Sequence, residues 1–165
     1  MSGKARIWVF GDDVNTDLII PGRYLDNYDP AHLAAHAMEG VNKGFAKEVS
    51  NGDIIVAGRN FGCGSSREQA VTALKHAGVE AVVAKSFARI FYRNAINLGF
   101  PVIVSGTAST VFQDGDSAVL DMDSGTLSSR DGAKVAAVEQ IPAHVKTIVE
   151  AGGLVPYIKR RLGKN

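Results

Sequence analysis

A chain of 165 residues with 45% hydrophobic and 21% charged side chains has the size and composition of one globular domain. Its 18 Lys and Arg residues nearly balance its 17 Asp and Glu residues, which argues against a general binder of nucleic acids or membrane surfaces. One cysteine forms no internal disulfide, and the sequence contains no recognisable signal peptide or membrane span. We therefore expect a single domain over residues 1–165, located in the cytoplasm.

The amino-terminal part begins with a predicted strand at 5–10, followed by a polar loop at 11–30 that is rich in Asp, Asn, Gly and Pro. Loops longer than about 12–15 residues are uncommon in compact domains and are often functional. For Asp12 and Asp13 we expect hydrogen bonds to local N–H groups of the turn. Asp17 precedes the apolar stretch LII, so we expect it to be partly buried and to need a partner.

A helix is predicted after this loop, because Asp29 is a favourable N-cap and Pro30 suits the first helical position. It should run near 30–39 and end at Gly40. His32 and His36 are spaced as zinc ligands on a helix can be, but the motif lacks the glutamate of H-E-x-x-H and an obvious third ligand. A surface pair is therefore expected, and no metal site.

Residues 53–104 alternate between apolar runs and amphipathic segments, which indicates a βαβαβ unit with a parallel sheet and right-handed crossovers. Ser65 or Ser66 is the expected N-cap of the first helix, with Glu68 in a capping box, and Ser86 is the expected cap of the second. The predicted strands and helices, in chain order, are 53–58, 65–78, 80–85, 87–99 and 100–106.

The carboxy-terminal part changes character. Short strands separated by Asp-Ser-Gly and Arg-Asp-Gly turns predict a hairpin or meander at 117–138. Helices are predicted at 142–153 and in the final stretch LVPYIKRRLG, which has a basic end. The sequence thus predicts an α/β fold with a parallel βαβαβ core and an added β-hairpin.

The stretch NFGCGSSREQA, residues 60–70, joins the end of a predicted strand to the start of a predicted helix. Ligands bind at that edge of open α/β sheets, and a helix N-terminus favours anions. Gly62 and Gly64 allow close approach, Arg67 offers a planar fork for a carboxylate or phosphate, and a serine hydroxyl can point into the pocket. The Rossmann, P-loop and nucleophile-elbow patterns all fail here, which leaves an anion pocket or a plain capping box.

The stretch KSFARIFYRN, residues 85–94, lies at the same sheet edge. Lys85 and Ser86 follow the strand, and Arg89 and Arg93 share one helix face, for which we expect a solvated basic surface. Cys63 has no histidine near it in sequence and is expected to fill the turn rather than act as a nucleophile.

Four stretches together resemble a known family: GDDVNTDLIIPGRYL, NFGCGSSRE, AKSFARIFYRNAINLGFP and EAGGLVPYIKRR. The chain resembles the small subunit of 3-isopropylmalate dehydratase and the archaeal-type homoaconitase small subunit, which are both similar to the swivel domain of aconitase. The resemblance runs from about residue 5 to residue 160, in order and without large gaps. The GSSRE and KSFARIF blocks are specific at this spacing.

The resemblance implies a three-layer β/β/α swivel-domain fold and a large subunit that carries a 4Fe-4S cluster, so this chain would bind no cofactor itself. It also implies a hydro-lyase reaction on a hydroxy-dicarboxylate: 2-isopropylmalate would be isomerised to 3-isopropylmalate through isopropylmaleate, in leucine biosynthesis. The cluster iron would be the Lewis acid that removes hydroxide.

Site residues follow from the same resemblance. Ser65 matches the general base that takes the proton from carbon, and Arg67 matches the arginine that clamps a substrate carboxylate. Ser66 and Gly64 match neighbouring substrate contacts, and Asp17 matches an aspartate that supports the catalytic group. A serine base becomes plausible only beside N–H donors, an arginine and a helix N-terminus that stabilise the alkoxide.

In the family that the chain resembles, the residues after RYL form the loop that contacts the variable group of the substrate. Here Asp26, Asn27 and Tyr28 follow RYL, and this stretch has no arginine for a third carboxylate. Isopropylmalate is therefore expected, citramalate and dimethylmalate remain alternatives, and Arg23 leaves homoaconitase open. A non-catalytic anion-binding domain is the alternative of another class. The expected substrate-binding residues of this loop are Arg23, Tyr24, Leu25, Asp26, Asn27 and Tyr28.

Overall fold

A seven-stranded sheet lies at the centre of the computed structural model, which describes residues 5–163. The strand order is β4-β3-β2-β1-β5-β6-β7; the first four strands are parallel to one another, and β5 to β7 form an antiparallel meander joined to β1. The strands are β1 (Ala5–Val9), β2 (Ile54–Ala57), β3 (Ala81–Ala84), β4 (Val102–Val104), β5 (Ser117–Asp121), β6 (Thr126–Ser129) and β7 (Val135–Ala137).

The parallel strands are apolar on both faces because both faces are covered. Every residue of β2 and β3 is buried, as expected for parallel strands packed on two sides. Alternate residues contribute to two separate cores: Trp8 and Val82 face the helices, while Ile7 and Val83 face the meander. The meander and the short helix Ala108–Val111 therefore cover one face of the parallel sheet, and the crossover helices cover the other, so the expected β/β/α layering and the predicted hairpin or meander are confirmed.

Eight α-helices occur within residues 5–163, and α4 and α5 are the crossover helices of the βαβαβ unit. Helix α4 ends at Gly78, whose φ of +107° gives the left-handed cap that stops the helix. No helix in this part of the chain is long and apolar enough to cross a membrane. The helices are α1 (Thr16–Ile19), α2 (Pro30–Ala34), α3 (Phe45–Glu48), α4 (Glu68–Ala77), α5 (Arg89–Asn97), α6 (Ala108–Val111), α7 (Ala143–Glu150) and α8 (Leu154–Arg161).

The polar loop at 11–30 is more ordered than the sequence predicts. It contains α1 and a 3₁₀ turn at Gly22–Tyr24. The helix predicted at 30–39 ends early, at Ala34, because the chain then turns back to bond α1: the N–H of Met38 donates to the carbonyl of Ile19 at 2.7 Å. Tertiary hydrogen bonds thus override the local helical preference.

Both predicted serine caps are wrong. Helix α4 begins at Glu68 with Arg67 as its N-cap residue, and neither Ser65 nor Ser66 caps it. Helix α5 begins only at Arg89, and the Ser86 hydroxyl accepts the N–H of a residue in the neighbouring loop instead. In each case the turn before the helix is held extended by bonds to an adjacent loop, which removes the serine from the cap position.

Candidate functional site

Three loops meet at the carboxyl edge of the parallel sheet, because β1, β2 and β3 are neighbours and end at the same side. They are bonded to one another through backbone groups rather than through side chains alone. The bonds between loops include Gly62 N–H to Val14 O (2.7 Å), Thr16 N–H to Cys63 O (2.9 Å), Phe61 N–H to Ser86 O (3.1 Å) and Ala88 N–H to Phe61 O (3.0 Å).

A cleft of about 480 Å³ opens between the second of these loops and helix α5. We call residues 60–67 the serine turn, and it forms one wall. The residues of the cleft that bear polar side chains are Thr16, Asn60, Ser65, Ser66, Arg67, Arg89, Arg93 and Asn94.

The serine turn owes its shape to two glycines. Gly62 and Gly64 have φ of +84° and +96°, in the left-handed region that other residues rarely adopt. A Cβ at Gly62 would also run into the ring of Phe91. On the far side of the turn, the Thr16 hydroxyl donates to the carbonyl of Ser65 at 2.9 Å. The turn is therefore fixed by its backbone.

The hydroxyls of Ser65 and Ser66 are free to meet a ligand. Both residues are exposed, and neither hydroxyl makes a hydrogen bond within residues 5–163. Helix α4 starts immediately afterwards, and its first N–H groups receive no side-chain cap. Unpaired N–H groups and the positive end of the helix dipole favour an anion at this place. The turn thus combines a hydroxyl with an anion-stabilising environment.

Arg67 is held in the wall of the cleft by two acceptors. Its Nη1 lies 3.1 Å from Oδ1 of Asp17 and 3.1 Å from the carbonyl oxygen of Ile20, and its side chain is 20% exposed. The N–H of Gly22 donates to the same oxygen of Asp17 at 3.0 Å. The hydrogen bond from Arg67 and then that from Gly22 hold the pKa of Asp17 below its ordinary value. Arg67 therefore faces an ionised carboxylate and has donors left for a ligand.

The expectation that Asp17 needs a partner is confirmed, but the expectation that it is partly buried is wrong. Its side chain is 64% exposed, because α1 places it outside the apolar stretch that follows. Asp12 and Asp13 also differ from expectation. They accept from the N–H of Arg59 (2.7 Å) and the side chain of Asn60 (3.1 Å), so they join two loops instead of closing a local turn.

The start of the 22–28 loop is tied to a carboxylate away from the serine turn. Arg23 Nη2 lies 3.2 Å from Oε1 of Glu39, and the Tyr24 hydroxyl donates to the same oxygen at 2.8 Å. His36 Nδ1 lies 2.6 Å from the other oxygen. The bond from Tyr24, followed by the bond and charge of His36 and the bond of Arg23, keeps the pKa of Glu39 below its ordinary value.

The rest of that loop does not reach the cleft in this chain. Leu25 packs half-buried against the helix-side core, while Asp26, Asn27 and Tyr28 are exposed, with Tyr28 at 70%. The side chain of Asn27 accepts the N–H of Asp29 at 2.9 Å. Of the predicted site residues, the structure thus brings together Asp17, Gly64, Ser65, Ser66 and Arg67.

The expectation that His32 and His36 form a surface pair is wrong. His32 and His36 are half-buried, and His36 stacks on Tyr24 with 3.7 Å between ring centroids. Within residues 5–163, no group of three or more His, Cys, Asp or Glu side chains is placed to hold a metal ion.

Sequence reasoning missed Thr16, Asn60 and Asn94 as cleft residues and treated Arg89 and Arg93 as a solvated basic face. Both arginines are exposed, but they line the cleft opposite the serine turn. The available signal was topological: loops that follow neighbouring parallel strands meet, so polar residues in all three belong to one site.

Known proteins share the sequence and the fold of this chain. Residues 35–105 match the aconitase C-terminal domain. The chain is 52% identical, over 95% of its length and 92% of the relative's, to the 3-isopropylmalate dehydratase small subunit 1 of Methanopyrus kandleri. It is 53% identical to the methanogen homoaconitase small subunit of Methanothermobacter thermautotrophicus, over 92% of this chain and 88% of the relative. The chain belongs to this family of aconitase-type small subunits.

A solved structure of the family has the same fold. The crystal structure of 3-isopropylmalate dehydratase from Methanocaldococcus jannaschii superposes with a TM-score of 0.92 at 51% identity, covering 97% of this chain and 95% of that one. The expected aconitase swivel-domain fold is therefore confirmed. The relatives are named as small subunits of dehydratases and homoaconitases, which are hydro-lyases of the aconitase family.

Proposed function

We propose that this chain is the small subunit of a 3-isopropylmalate dehydratase. The assembled enzyme isomerises 2-isopropylmalate to 3-isopropylmalate through isopropylmaleate, a step of leucine biosynthesis in the cytoplasm. The observation that carries the proposal is the serine turn: a serine hydroxyl with no hydrogen-bond partner among the described residues, an uncapped helix N-terminus and a fixed arginine line one cleft in a chain of this family.

Ser65 is the general base of this proposal. It takes the proton from the substrate carbon next to the one that bears the leaving hydroxyl. Its alkoxide needs strong local stabilisation, which the N–H groups at the start of α4 and the charge of Arg67 are placed to give. Ser66 and the backbone at Gly64 lie beside it for contacts to the bound acid. The rigid turn keeps the hydroxyl in position without reorganisation.

Arg67 is the carboxylate clamp. A guanidinium binds a carboxylate through two parallel N–H bonds, and the rigid fork gives direction as well as charge. Asp17 and the carbonyl of Ile20 occupy donors of the Arg67 Nη1 atom and leave the remaining donors for the substrate. Asp17 therefore orients the clamp instead of contacting the reacting atoms.

The 4Fe-4S cluster of the aconitase family does not fit this chain by itself. Such clusters are held by about four thiolates, whereas the chain has one cysteine, Cys63, which is half-buried in the serine turn. We infer that the cluster is held by a large subunit, the partner that the name small subunit requires. The cleft of this chain would face that subunit, and the substrate would lie between the two.

A homoaconitase small subunit is the second candidate, favoured by the relatives of that name with 53% and 51% identity. The two functions differ in the substrate: a homoaconitase handles a third carboxylate. The loop end of Asp26, Asn27 and Tyr28 is exposed outside the cleft and carries no cation that could bind this third carboxylate. This favours 2-isopropylmalate.

Anaerobic reconstitution tests the proposal. This chain is combined with the cluster-loaded large subunit of the same organism, and absorbance of the unsaturated intermediate is followed with 2-isopropylmalate, citramalate, dimethylmalate and homocitrate. We expect each subunit alone to be inactive and 2-isopropylmalate to be turned over far faster than the other acids. Preference for homocitrate would establish the homoaconitase function, and preference for citramalate or dimethylmalate would assign a smaller alkylmalate. A complex that binds these acids but converts none of them would leave only an anion-binding domain.

A further inference from the structure

Arg67 and Arg23 both lie near Asp17, but of these two only Arg67 lines the cleft. Arg67 lines the cleft, whereas Arg23 pairs with Glu39. We propose that Glu39 is a specificity-determining residue: it holds Arg23 away from the cleft that Arg67 lines, so that the site rejects a third carboxylate. This inference rests on the proposed function and names the substrate class that the site excludes.

Glu39 is well suited to hold a neighbouring cation. It is only 21% exposed on its side chain, so its charge is screened less than that of a surface carboxylate. Its two oxygens receive Arg23, Tyr24 and His36, at 3.2, 2.8 and 2.6 Å. These contacts keep the pKa of Glu39 low, and Glu39 therefore stays charged opposite Arg23 over the neutral range.

Arg23 has a second attachment. Its guanidinium carbon lies 4.7 Å from the ring centroid of Tyr24, in the range of a cation–π contact. Tyr24 is itself fixed by the stacked ring of His36, with only 8° between the ring planes. To reach a ligand, the Arg23 side chain must leave both the carboxylate and the ring.

The backbone around this cluster cannot easily move toward the cleft. Gly22, at one end of the 3₁₀ turn, donates to Asp17, which is bonded to Arg67. On the Glu39 side, the N–H of Gly40 donates to the carbonyl of Leu18 at 3.1 Å, and a Cβ at Gly40 would lie 2.6 Å from the Leu18 Cα. The chain segments that carry Arg23 and Glu39 are therefore both anchored to α1.

Arg23 is nevertheless close enough to matter for the site. Its charge contributes to the lowered pKa of Asp17, and its side chain is 65% exposed, so it is not enclosed by the fold. Release from Glu39 would add a mobile cation beside the carboxylate clamp. A hydroxy-tricarboxylate would gain from this cation, and a hydroxy-dicarboxylate with an apolar branch would not.

The test is a double-mutant cycle on the reconstituted enzyme. Wild type, Glu39→Gln, Arg23→Gln and the double variant are compared by the ratio of kcat/KM for homocitrate to kcat/KM for 2-isopropylmalate. Gln keeps the size of Glu39 but loses the charge. We expect Glu39→Gln to raise the ratio roughly three- to tenfold, as for a new charge-assisted contact in a partly exposed site. The rise should disappear in the double variant.

Two control variants distinguish a change in substrate specificity from a general loosening of the 22–28 loop. Glu39→Asp keeps the charge and should keep most of the wild-type ratio. Glu139→Gln changes an exposed glutamate far from the cleft and should leave the ratio unchanged. An unchanged ratio in Glu39→Gln would overturn the inference. A rise that survives in the double variant would also overturn it, because Arg89 or Arg93 would then be the source of the new contact.

Failure of the proposed function is recognised separately, by wild-type complex that does not convert 2-isopropylmalate. The same four chains are then compared by calorimetric binding of tricarballylate and glutarate, a tricarboxylate and a dicarboxylate. Tighter relative binding of tricarballylate in Glu39→Gln, lost in the double variant, supports the role of Glu39. An affinity ratio that is equal in all four chains, or absence of binding in all four, overturns it.

Discussion

The serine turn and the 22–28 loop each supply the arginine of an arginine–carboxylate pair, and the two pairs differ in which member is exposed. At the serine turn the arginine, Arg67, is 20% exposed and its partner Asp17 is 64% exposed. In the loop the arginine, Arg23, is 65% exposed and its partner Glu39 is 21% exposed. The fixed member of a pair controls the other one: a fixed arginine presents its free donors to a ligand, whereas a fixed carboxylate withdraws an arginine from it.

The neighbours of the two pairs follow the same division. Arg67 stands beside exposed serine hydroxyls and an uncapped helix N-terminus, which favour anions. Glu39 lies beside the stacked rings of Tyr24 and His36, and its oxygens contact the Tyr24 hydroxyl and the His36 Nδ1 atom. The serine turn is thus suited to binding an anion, whereas the contacts of Glu39 hold the 22–28 loop in place.

Among changes to these pairs, Arg67→Lys should have the largest effect. Lysine keeps the charge but loses the planar fork that binds a carboxylate through two bonds. We expect kcat/KM for 2-isopropylmalate to fall by roughly 100-fold or more, as for loss of a charge-assisted bidentate contact. Arg23→Lys is the matched comparison and should cost less than about threefold, because Arg23 is held away from the cleft. Similar losses at both positions would abolish the distinction between the pairs.

Asp17→Asn should have an intermediate effect, a fall in kcat/KM of about tenfold, because Arg67 keeps its charge but loses a charged acceptor that orients it.

The pKa of Asp17 is lower in the folded chain than in the unfolded one. The stability it contributes is therefore fully present above the ordinary carboxyl value of 3.8 and is lost as the pH falls through the lowered pKa.

Thermal unfolding of wild type and Asp17→Asn across the acidic range checks this sign. The difference in Tm should stay constant from neutral pH down to the ordinary carboxyl range and shrink below it. A difference that grows as the pH falls would contradict the pairing of Asp17 with Arg67.

Substitution of Glu80 should have the smallest effect, and the pKa of Glu80 is shifted in the opposite direction to that of Asp17. Burial raises its pKa above the ordinary value of 4.5, in contrast to the two paired carboxylates. Its contribution to stability is thus lost as the pH rises through the raised pKa. Glu80→Gln should increase Tm at neutral pH by about 1–2 °C, and this gain should vanish under acidic conditions. A lower Tm at neutral pH would show that the charge of Glu80 is stabilising.

The sequence predicts the βαβαβ unit and the meander because their strands are apolar runs bounded by glycine-rich turns. The start of α4 differs from the sequence prediction because local capping preference does not include the bond from Thr16 to the carbonyl of Ser65, which joins residues 49 positions apart. The premature end of α2 has the same cause, a bond from Met38 to Ile19. Long-range hydrogen bonds of the loops, rather than hydrophobic periodicity, decide such details.

The candidate site was predictable in part. The residue types of the serine turn and its place at a strand-to-helix edge point to an anion pocket that includes Arg67. The sequence does not predict that Asp17 pairs with Arg67, because the two residues are 50 positions apart and belong to different loops. It also does not predict that Glu39 pairs with Arg23, because Glu39 stands at the end of a predicted helix and shows no feature of a binding residue.

The most direct test of the account is the activity of Ser65→Ala in the reconstituted complex, with Ser66→Ala as the matched variant one residue away. If Ser65 is the general base, kcat for isopropylmaleate formation should fall by about 10³-fold with KM for 2-isopropylmalate nearly unchanged, and Ser66→Ala should lose much less. Wild-type kcat in Ser65→Ala would contradict the account, because the proton would then be taken by another group.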